Sequence, residues 1–337
     1  MTPQATVAPA STANQAPALQ VRRNFSRVGR ALFHRAIQAG MVALAVGSLT
    51  FVLARMLPGD AAFRIAAGRY GYDVVDGAAA DAVRRELGLD RSGLAIYLDW
   101  LWSLVRFDLG PSLVSGEPVI REIAHQLGHS IWLALAAVAL SLVIGVPLGV
   151  YAGLRPGGFI DRSSLVVSAG LRALPQFVLG LLLIMGLSVG LGLAPAGGHG
   201  EAQHVLLPAL SIALGLAAVS SRVARDATAS VVSSQHYLFA RSKGLGERQA
   251  FIRHGLRNIG APVLPYVGVQ LVYLIEGVIV VETLFAWPGI GHALVHAIFA
   301  RDVPMIQGTA LLLGLMFVAL NALVDLACAV LDPRERT

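Results

Sequence analysis

His125 and His129 stand four residues apart, as do His292 and His296, while His199 and His204 bracket the stretch "HGEAQH". Four-residue spacing places two imidazoles on one helix face, and imidazole is a good ligand for nickel. His199 and His204 are accordingly the candidate metal residues, although neither a cysteine nor a third ligand accompanies the pairs. The competing reading is ordinary interfacial side chains. A different chemistry attaches to Glu276, inside the apolar run "LVYLIEGVIVV". An ionisable group at membrane depth costs on the order of 2.5–3.5 kcal/mol on insertion scales unless it faces a polar interior. Glu276 is therefore a translocation-pathway residue, the structural partner of Arg172, or a protonated carboxyl bonded to neighbouring backbone. Arg172 and Pro175 interrupt another apolar run, and a proline there frees a carbonyl and bends the helix, so all three residues are pathway candidates. Asn321 and Asp325, four apart in the last apolar run, favour interhelical hydrogen bonding.

Several chemistries are excluded by what surrounds these residues. Lys243 is the only lysine and is followed by glycine, so no GxxxxGK[ST] phosphate loop exists and the chain is no P-loop ATPase. HExxH and GxSxG are absent, and the mid-span charges form no acid and base pair. Cys328 is the single cysteine, which leaves no internal disulfide framework and no CxxC metal motif. A non-catalytic chain that binds no cofactor of its own is expected.

The elements that must position these residues are membrane helices. Of the 337 residues, 55% are hydrophobic and 14% charged, and the mean hydropathy is +0.67, so the bilayer is the main solvent. Runs near twenty apolar residues predict six spans, at about 36–57, 130–154, 164–193, 206–224, 261–283 and 307–331. Residues 1–20 are Ala, Pro, Thr, Gln and Ser without periodicity and predict a disordered tail; residues 21–57 form a basic segment and a retained first span rather than a signal peptide. Residues 58–129 form a large insertion, 130–331 a core of five spans, and 332–337 a short terminal tail. Arginines beside the spans place both termini and the loop between spans four and five in the cytoplasm, with the insertion outside. That distribution fits membrane orientation and argues against a nucleic-acid surface despite a net charge of +6. Within the insertion, "LAIYLDWLWSLVRF" predicts an amphipathic helix, either lying on membrane lipid or packing over the span ends.

The loop between spans four and five contains "HYLFARSKGLGERQAFIRHGL", the most basic stretch of the chain. Ser234 to Ser242 can form a short helix, Gly244 and Gly246 break it, and Glu247 to Arg253 can start another. A purely topological signal needs the charges but not this helix, glycine turn and helix.

The stretch resembles the cytoplasmic coupling loop of bacterial ABC importer permeases, specifically the dipeptide, oligopeptide and nickel permease family. The resemblance extends in order along the chain: "LPGD" at 57–60, "ELGLD" at 86–90, "YLDWLW" at 97–102, "DLGPS" at 108–112, "ARSKGL" at 240–245, "HGLRN" at 254–258, "ETLFAWPGIG" at 282–291, "RDVPMIQG" at 301–308 and "DPRER" at 332–336. It implies an all-α polytopic fold whose coupling helix docks on an ATPase subunit through Phe239, Ala240, Arg241, Lys243, Gly244, Leu245, Glu247 and Arg248. The general importer motif has Glu-Ala-Ala where this chain has Leu238, Phe239 and Ala240, so the carboxylate of that triplet is absent. Contacts from Arg241, Lys243 and Arg248 are the expected replacement. The implied partners are a second, related permease chain, two ATP-binding-cassette ATPases that hold ATP and Mg, and an extracytoplasmic solute-binding protein. The implied site of action is the bacterial inner membrane, and the implied cargo is peptide or nickel. A secondary transporter or channel is the competing class, and it predicts symmetrically placed broken helices; in sequence only span three is interrupted.

Overall fold

A computed structural model describes the backbone of residues 16–331 apart from 57, 72, 74, 88–91, 107 and 245; side chains are described for that set apart from 16–32, 236, 247, 248, 253, 254, 257, 261, 264, 275, 276 and 327–331. The expected residues 1–15 and 332–337 of the two tails lie outside it.

Long apolar runs give long helices, which satisfy most backbone donors and acceptors within the segment and here tolerate Pro147 in α5 and Pro262 and Pro265 in α11. The order is α1 (Ala16–Met56), α2 (Ala61–Tyr70), α3 (Gly77–Glu86), α4 (Gly93–Val105), α5 (Val119–Leu154), α6 (Phe159–Ala173), α7 (Gln176–Leu183) continued by a π-helical turn Ile184–Gly190, a short 3-10 turn Ala202–Val205, α8 (Leu206–Val232), α9 (Gln235–Ser242), α10 (Glu247–Ala250) with a second π turn Phe251–Gly255, α11 (Leu256–Leu284), α12 (Ile290–Ala300) and α13 (Val303–Leu331). No strand occurs among the described residues, only one isolated bridge between Pro111 and Pro118.

Four helices are long and apolar enough to cross a membrane: Phe33–Met56, Val119–Leu154, Ala202–Val232 and Val303–Leu326. Two bent pairs also qualify, Phe159–Ala173 with Gln176–Gly190 at 105° and Asn258–Leu274 with Gly277–Leu284 at 57°. Counting each pair as one crossing gives the expected six. Boundaries shift, however. Helix α1 begins at Ala16, inside the expected tail, and α5 begins at Val119, so the last turns of the expected insertion are the first turns of span two. Span three is not one kinked helix but two, because Pro175 lacks an amide hydrogen and holds Leu174 extended. The bend in α11 is a second interruption that the sequence pattern did not reveal.

Helix α5 packs along α8, α1 along α13, and α11 against both α8 and α13. The α5–α8 seam is close because Gly145, Gly149 and Gly153 recur every fourth residue. A methyl at Gly145 would lie 2.8 Å from the Ala217 carbonyl and one at Gly153 2.5 Å from that of Arg225. Small residues of this kind let membrane helices gain dispersion contacts where burial from water gives nothing. Leu133, Ala137, Leu207, Ile212, Val281 and Phe285 form the main buried cluster, while α2 and α3 enclose a small core of their own around Ile65 and Val83. The end of the bundle bearing α9 is the loop end, and the one bearing α2–α4 is the insertion end.

Candidate functional site

At the loop end, α8 stops at Val232 and the chain turns directly into α9. Ser234 caps the new helix, its Oγ accepting from the Tyr237 amide at 3.3 Å. One face of α9 is seated: Tyr237 and Ala240 are buried with Ala250 against Val231, Val232 and Phe251. The other is open, with Leu238 50% and Phe239 62% exposed and Arg241, Ser242 and Lys243 also exposed. The Lys243 ammonium lies 4.6 Å over the Phe239 ring, a cation–π contact that fixes both side chains. Gly244 ends the helix at φ +86°, a conformation other residues adopt with strain. The expected docking set therefore divides. Phe239, Arg241, Lys243 and Gly244 share an open surface; Ala240 points inward, because the helical period puts it beside Tyr237 on the seated face, which corrects its assignment as a surface residue. Leu245 lies outside the described residues, as do the side chains of Glu247 and Arg248.

Behind this hairpin sits a charge cluster that sequence reasoning missed. Asp161, near the start of α6, is buried and accepts from Arg225 side-on, Nε at 3.0 Å and Nη2 at 2.6 Å, and from the Gly157 amide at 2.9 Å. Arg222 adds Nη1 at 3.4 Å and donates through Nη2 to Ser164 Oγ at 2.5 Å. Arg222 and Arg225, taken from sequence as orientation charges only, are thus paired. The available signal was a lone acid opening an apolar run.

The pathway candidates meet in part. Arg172 and Pro175 stand at the α6–α7 break and both are exposed. The next residue, Gln176, lies against Gly277, leaving no room there for a Cβ, so the break in span three abuts the bend in α11. Glu276 adjoins this contact in the backbone of α11, but its side chain is outside the described set. A second polar residue in the same helix, Gln270, is fully buried. Its Nε2 donates to Ser220 Oγ at 2.6 Å and to the Leu216 carbonyl at 3.3 Å, and Ser141 Oγ donates to its Oε1 at 3.4 Å, so one amide ties α5, α8 and α11. Asp325 pairs with Arg35, linking α13 to α1 as an interhelical contact, whereas Asn321 donates within its own helix to Phe317 at 2.8 Å.

The insertion end brings together strings far apart in sequence. Arg301, 8% exposed, donates to the carbonyls of Pro58 and Gly59. Asp302 accepts from Ser112 Oγ, from the Leu113 amide at 3.1 Å and from the Met305 amide at 3.3 Å. "LPGD", "DLGPS" and "RDVPMIQG" are therefore one junction. Nearby, Glu282 is buried, with Ser130 Oγ donating to it at 2.5 Å and the Gly291 amide at 2.7 Å, so the glutamate of "ETLFAWPGIG" caps α12 from inside. The predicted amphipathic helix α4 packs rather than floats: Tyr97 bonds Ser48 at 2.7 Å and Trp100 lies on Gly47 of α1. Its Leu94, Leu98 and Trp102 remain exposed.

The histidine pairs form as their spacing predicts, with ring centroids 5.0 Å apart for His125 and His129 and 4.5 Å for His292 and His296. Burial, helped by His296, holds His292 below the usual imidazole range. His296 lines a cleft of about 380 Å³ with Glu122, Gln126 and Asp302. His199 is exposed and His204 half-buried. Among the described residues no group of three His, Cys, Asp or Glu side chains that could hold a metal forms around either.

Comparison with known proteins gives a consistent result. A family profile described as "Binding-protein-dependent transport system inner membrane component" matches residues 145–337. A protein of Pectobacterium atrosepticum named "Glutathione transport system permease protein GsiC" is 36% identical over 87% of this chain and 94% of its own length. The protein of the same name from Escherichia coli strain K12 is 36% identical over 86% of this chain and 94% of its own. A Brucella abortus protein named as a peptide transport system permease is 37% identical over 90% of this chain and 98% of its own.

Proposed function

The chain belongs to the family of binding-protein-dependent transport system inner membrane components, and from that premise we propose how its two ends divide the work of a peptide importer. It is an ABC transporter permease subunit, non-catalytic, in a multi-pass inner-membrane protein. The loop end and both termini face the cytoplasm, where the open face of α9 docks on an ATP-binding-cassette subunit. ATP and Mg are held there, not by this chain. Two ATPases and a second, related permease complete the membrane complex. The insertion end faces outward and receives a solute-binding protein, and the break at Pro175 beside Glu276 and Arg172 borders the pathway between the permeases. The cargo is a small peptide, either glutathione or a di- or oligopeptide, in keeping with the names of the relatives. Nickel uptake through His199 and His204 is the second cargo reading; among the described residues no third ligand stands beside them.

The observation that carries the docking role is the construction of α9: a seated face that ties it to α8 and to the turn before α11, and an open face of Leu238, Phe239, Arg241 and Lys243 that no described residue covers. Solvation explains exposed arginine and lysine, but not an exposed phenylalanine pinned by a lysine. Removing an aromatic anchor from an interface costs on the order of 2 kcal/mol, or more than roughly tenfold in affinity. Phe239→Ala is expected to reduce copurification of the ATPase by that factor, and Arg241→Glu with Lys243→Glu to lower it further. Unchanged copurification in both variants would remove α9 as the docking element. For cargo, uptake of labelled glutathione, a labelled dipeptide and radioactive nickel, compared with and without this gene, separates the two readings.

A further inference from the structure

A displacement of α9 reaches α8 through Val231 and Val232 and the turn before α11 through Ala250 and Phe251, because Tyr237 and Ala240 are packed on all four. From α8 it can leave by two routes of different construction. Toward α5 the contact is a glycine seam whose polar link is indirect, running from Ser141 through Gln270 of α11 to Ser220. Toward α6 it is a stripe of polar residues at helical spacing, Asp161, Ser164 and Ser168, all buried, facing Arg225, Arg222 and Ser221. Helix α6 is the one that ends at the Pro175 break, and beyond that break Gln176 rests on Gly277 at the bend of α11.

We propose that Asp161 is the positioning residue through which movement of the α9 hairpin is passed to the Pro175 break: its carboxylate locks α6 to α8, so that the two helices and the α7–α11 contact move as one body. The inference rests on the reading that α9 meets an ATPase. Three features of the cluster support it. The Arg225 guanidinium meets Asp161 side-on through Nε and Nη2, a two-bond geometry that fixes rotation as well as distance. The same carboxylate accepts from the Gly157 amide, so the α5–α6 turn is tied to the same point. Arg222 closes the cluster by bonding both Asp161 and Ser164, which prevents α6 from sliding by a turn along α8. The cluster joins the helix that carries α9 to the helix that ends at the break.

The test uses the assembled complex with its ATPases, partner permease and binding protein in lipid nanodiscs. Cys328, the single native cysteine, is replaced by serine and Gln176→Cys provides a reporter at the break. The rate at which a thiol reagent labels position 176 is measured without nucleotide and with ATP and vanadate. In this parent the rate is expected to change by a factor on the order of five or more, the low end of ordinary site-to-site coupling. With Asp161→Asn added, the ATPase still copurifies and hydrolyses ATP, but the nucleotide-dependent change falls below about twofold. A second set of variants asks whether the lock itself is what was lost. Ser168 and Ser221 have their Oγ atoms 3.2 Å apart on the same two helices, so a Ser168→Cys and Ser221→Cys pair, oxidised before the reporter is labelled, should restore the nucleotide response in the Asp161→Asn background. Should Asp161→Asn not assemble, Arg225→Lys, which keeps the charge and loses the two-bond geometry, takes its place with the same expected loss and rescue. An undiminished nucleotide response in the variant, or no rescue by the tether, overturns the proposal. A parent that shows no nucleotide response at all, or from which the ATPase is lost although Phe239 is intact, instead tells against the docking role of α9 on which it rests.

Discussion

The insertion end and the α5–α8 seam are both tightly built, but by opposite means. At the insertion end, buried charged side chains reach main-chain groups, some of distant segments, Arg301 to Pro58 and Gly59 and Asp302 to Leu113, and some nearby in the chain, Asp302 to Met305 and Glu282 to Gly291. Along the seam, Gly145, Gly149 and Gly153 contribute nothing but room. One region is held by atoms that are present and the other by atoms that are missing. Irregular backbone needs partners for its amides and carbonyls, which only side chains can supply where helices do not. Two regular helices have no such need and gain most by approaching closely.

This contrast can be broken from either side. Filling the seam should do the most harm. Gly149→Leu forces a side chain into the Ser221 carbonyl and Ala224, and should destabilise the protein by more than roughly 3 kcal/mol, since overpacking here must push α5 and α8 apart along their length. Thermal unfolding of the purified protein in detergent would measure it. Gly186→Ala, at a glycine with open space around it, should change stability by less than about 0.5 kcal/mol; an equal loss in both would mean that close approach is not what the seam requires.

Deleting atoms should harm the other region. Glu282→Ala strands the Gly291 amide and leaves the Ser130 hydroxyl without its acceptor, a loss on the order of 3 kcal/mol for a buried acceptor serving two donors. The same unfolding measurement checks it, and a loss under about 1 kcal/mol would place Glu282 among groups that water or a neighbour can replace.

The smallest effect is expected at the exposed edge of the insertion. Burial tends to raise the Asp60 carboxyl, but the Ala62 amide and Arg84 outweigh it and hold its pKa below the ordinary carboxylate value. A folded pKa below the unfolded one means that the contribution is present at neutral pH and is lost as pH falls through the folded value. Asp60→Asn should therefore lower the unfolding midpoint at pH 7 by an amount worth under about 1 kcal/mol. The difference from the parent should close as the solution is acidified through the folded value. A gap that persists in acid would show that the side-chain amide, not the lost charge, is responsible.

Much of the site was legible in the sequence. A short helix from Ser234 to Ser242 broken at Gly244 was specified by the sequence, since capping and left-handed backbone are local requirements. Pro175 specified a break. The bend in α11 was not legible: Glu276 and Gly277 mark the place in sequence, but that Gln176 of another helix packs on Gly277 there is a tertiary fact. Ala240 could not be placed either: residue type says nothing about which side of a short helix meets Tyr237 and Ala250.

Sequence alone determined that this protein lives in a membrane, where its helices lie and which family its ordered strings belong to, because hydropathy, proline and glycine act over a turn or two of chain. Only the tertiary structure decided that Arg301 clamps "LPGD", that Glu282 caps α12 and that Asp161 pairs with Arg225 sixty-four residues away. A buried charge must find a partner, but the sequence does not state which one, since the choice depends on which helices are brought within 3 Å of each other.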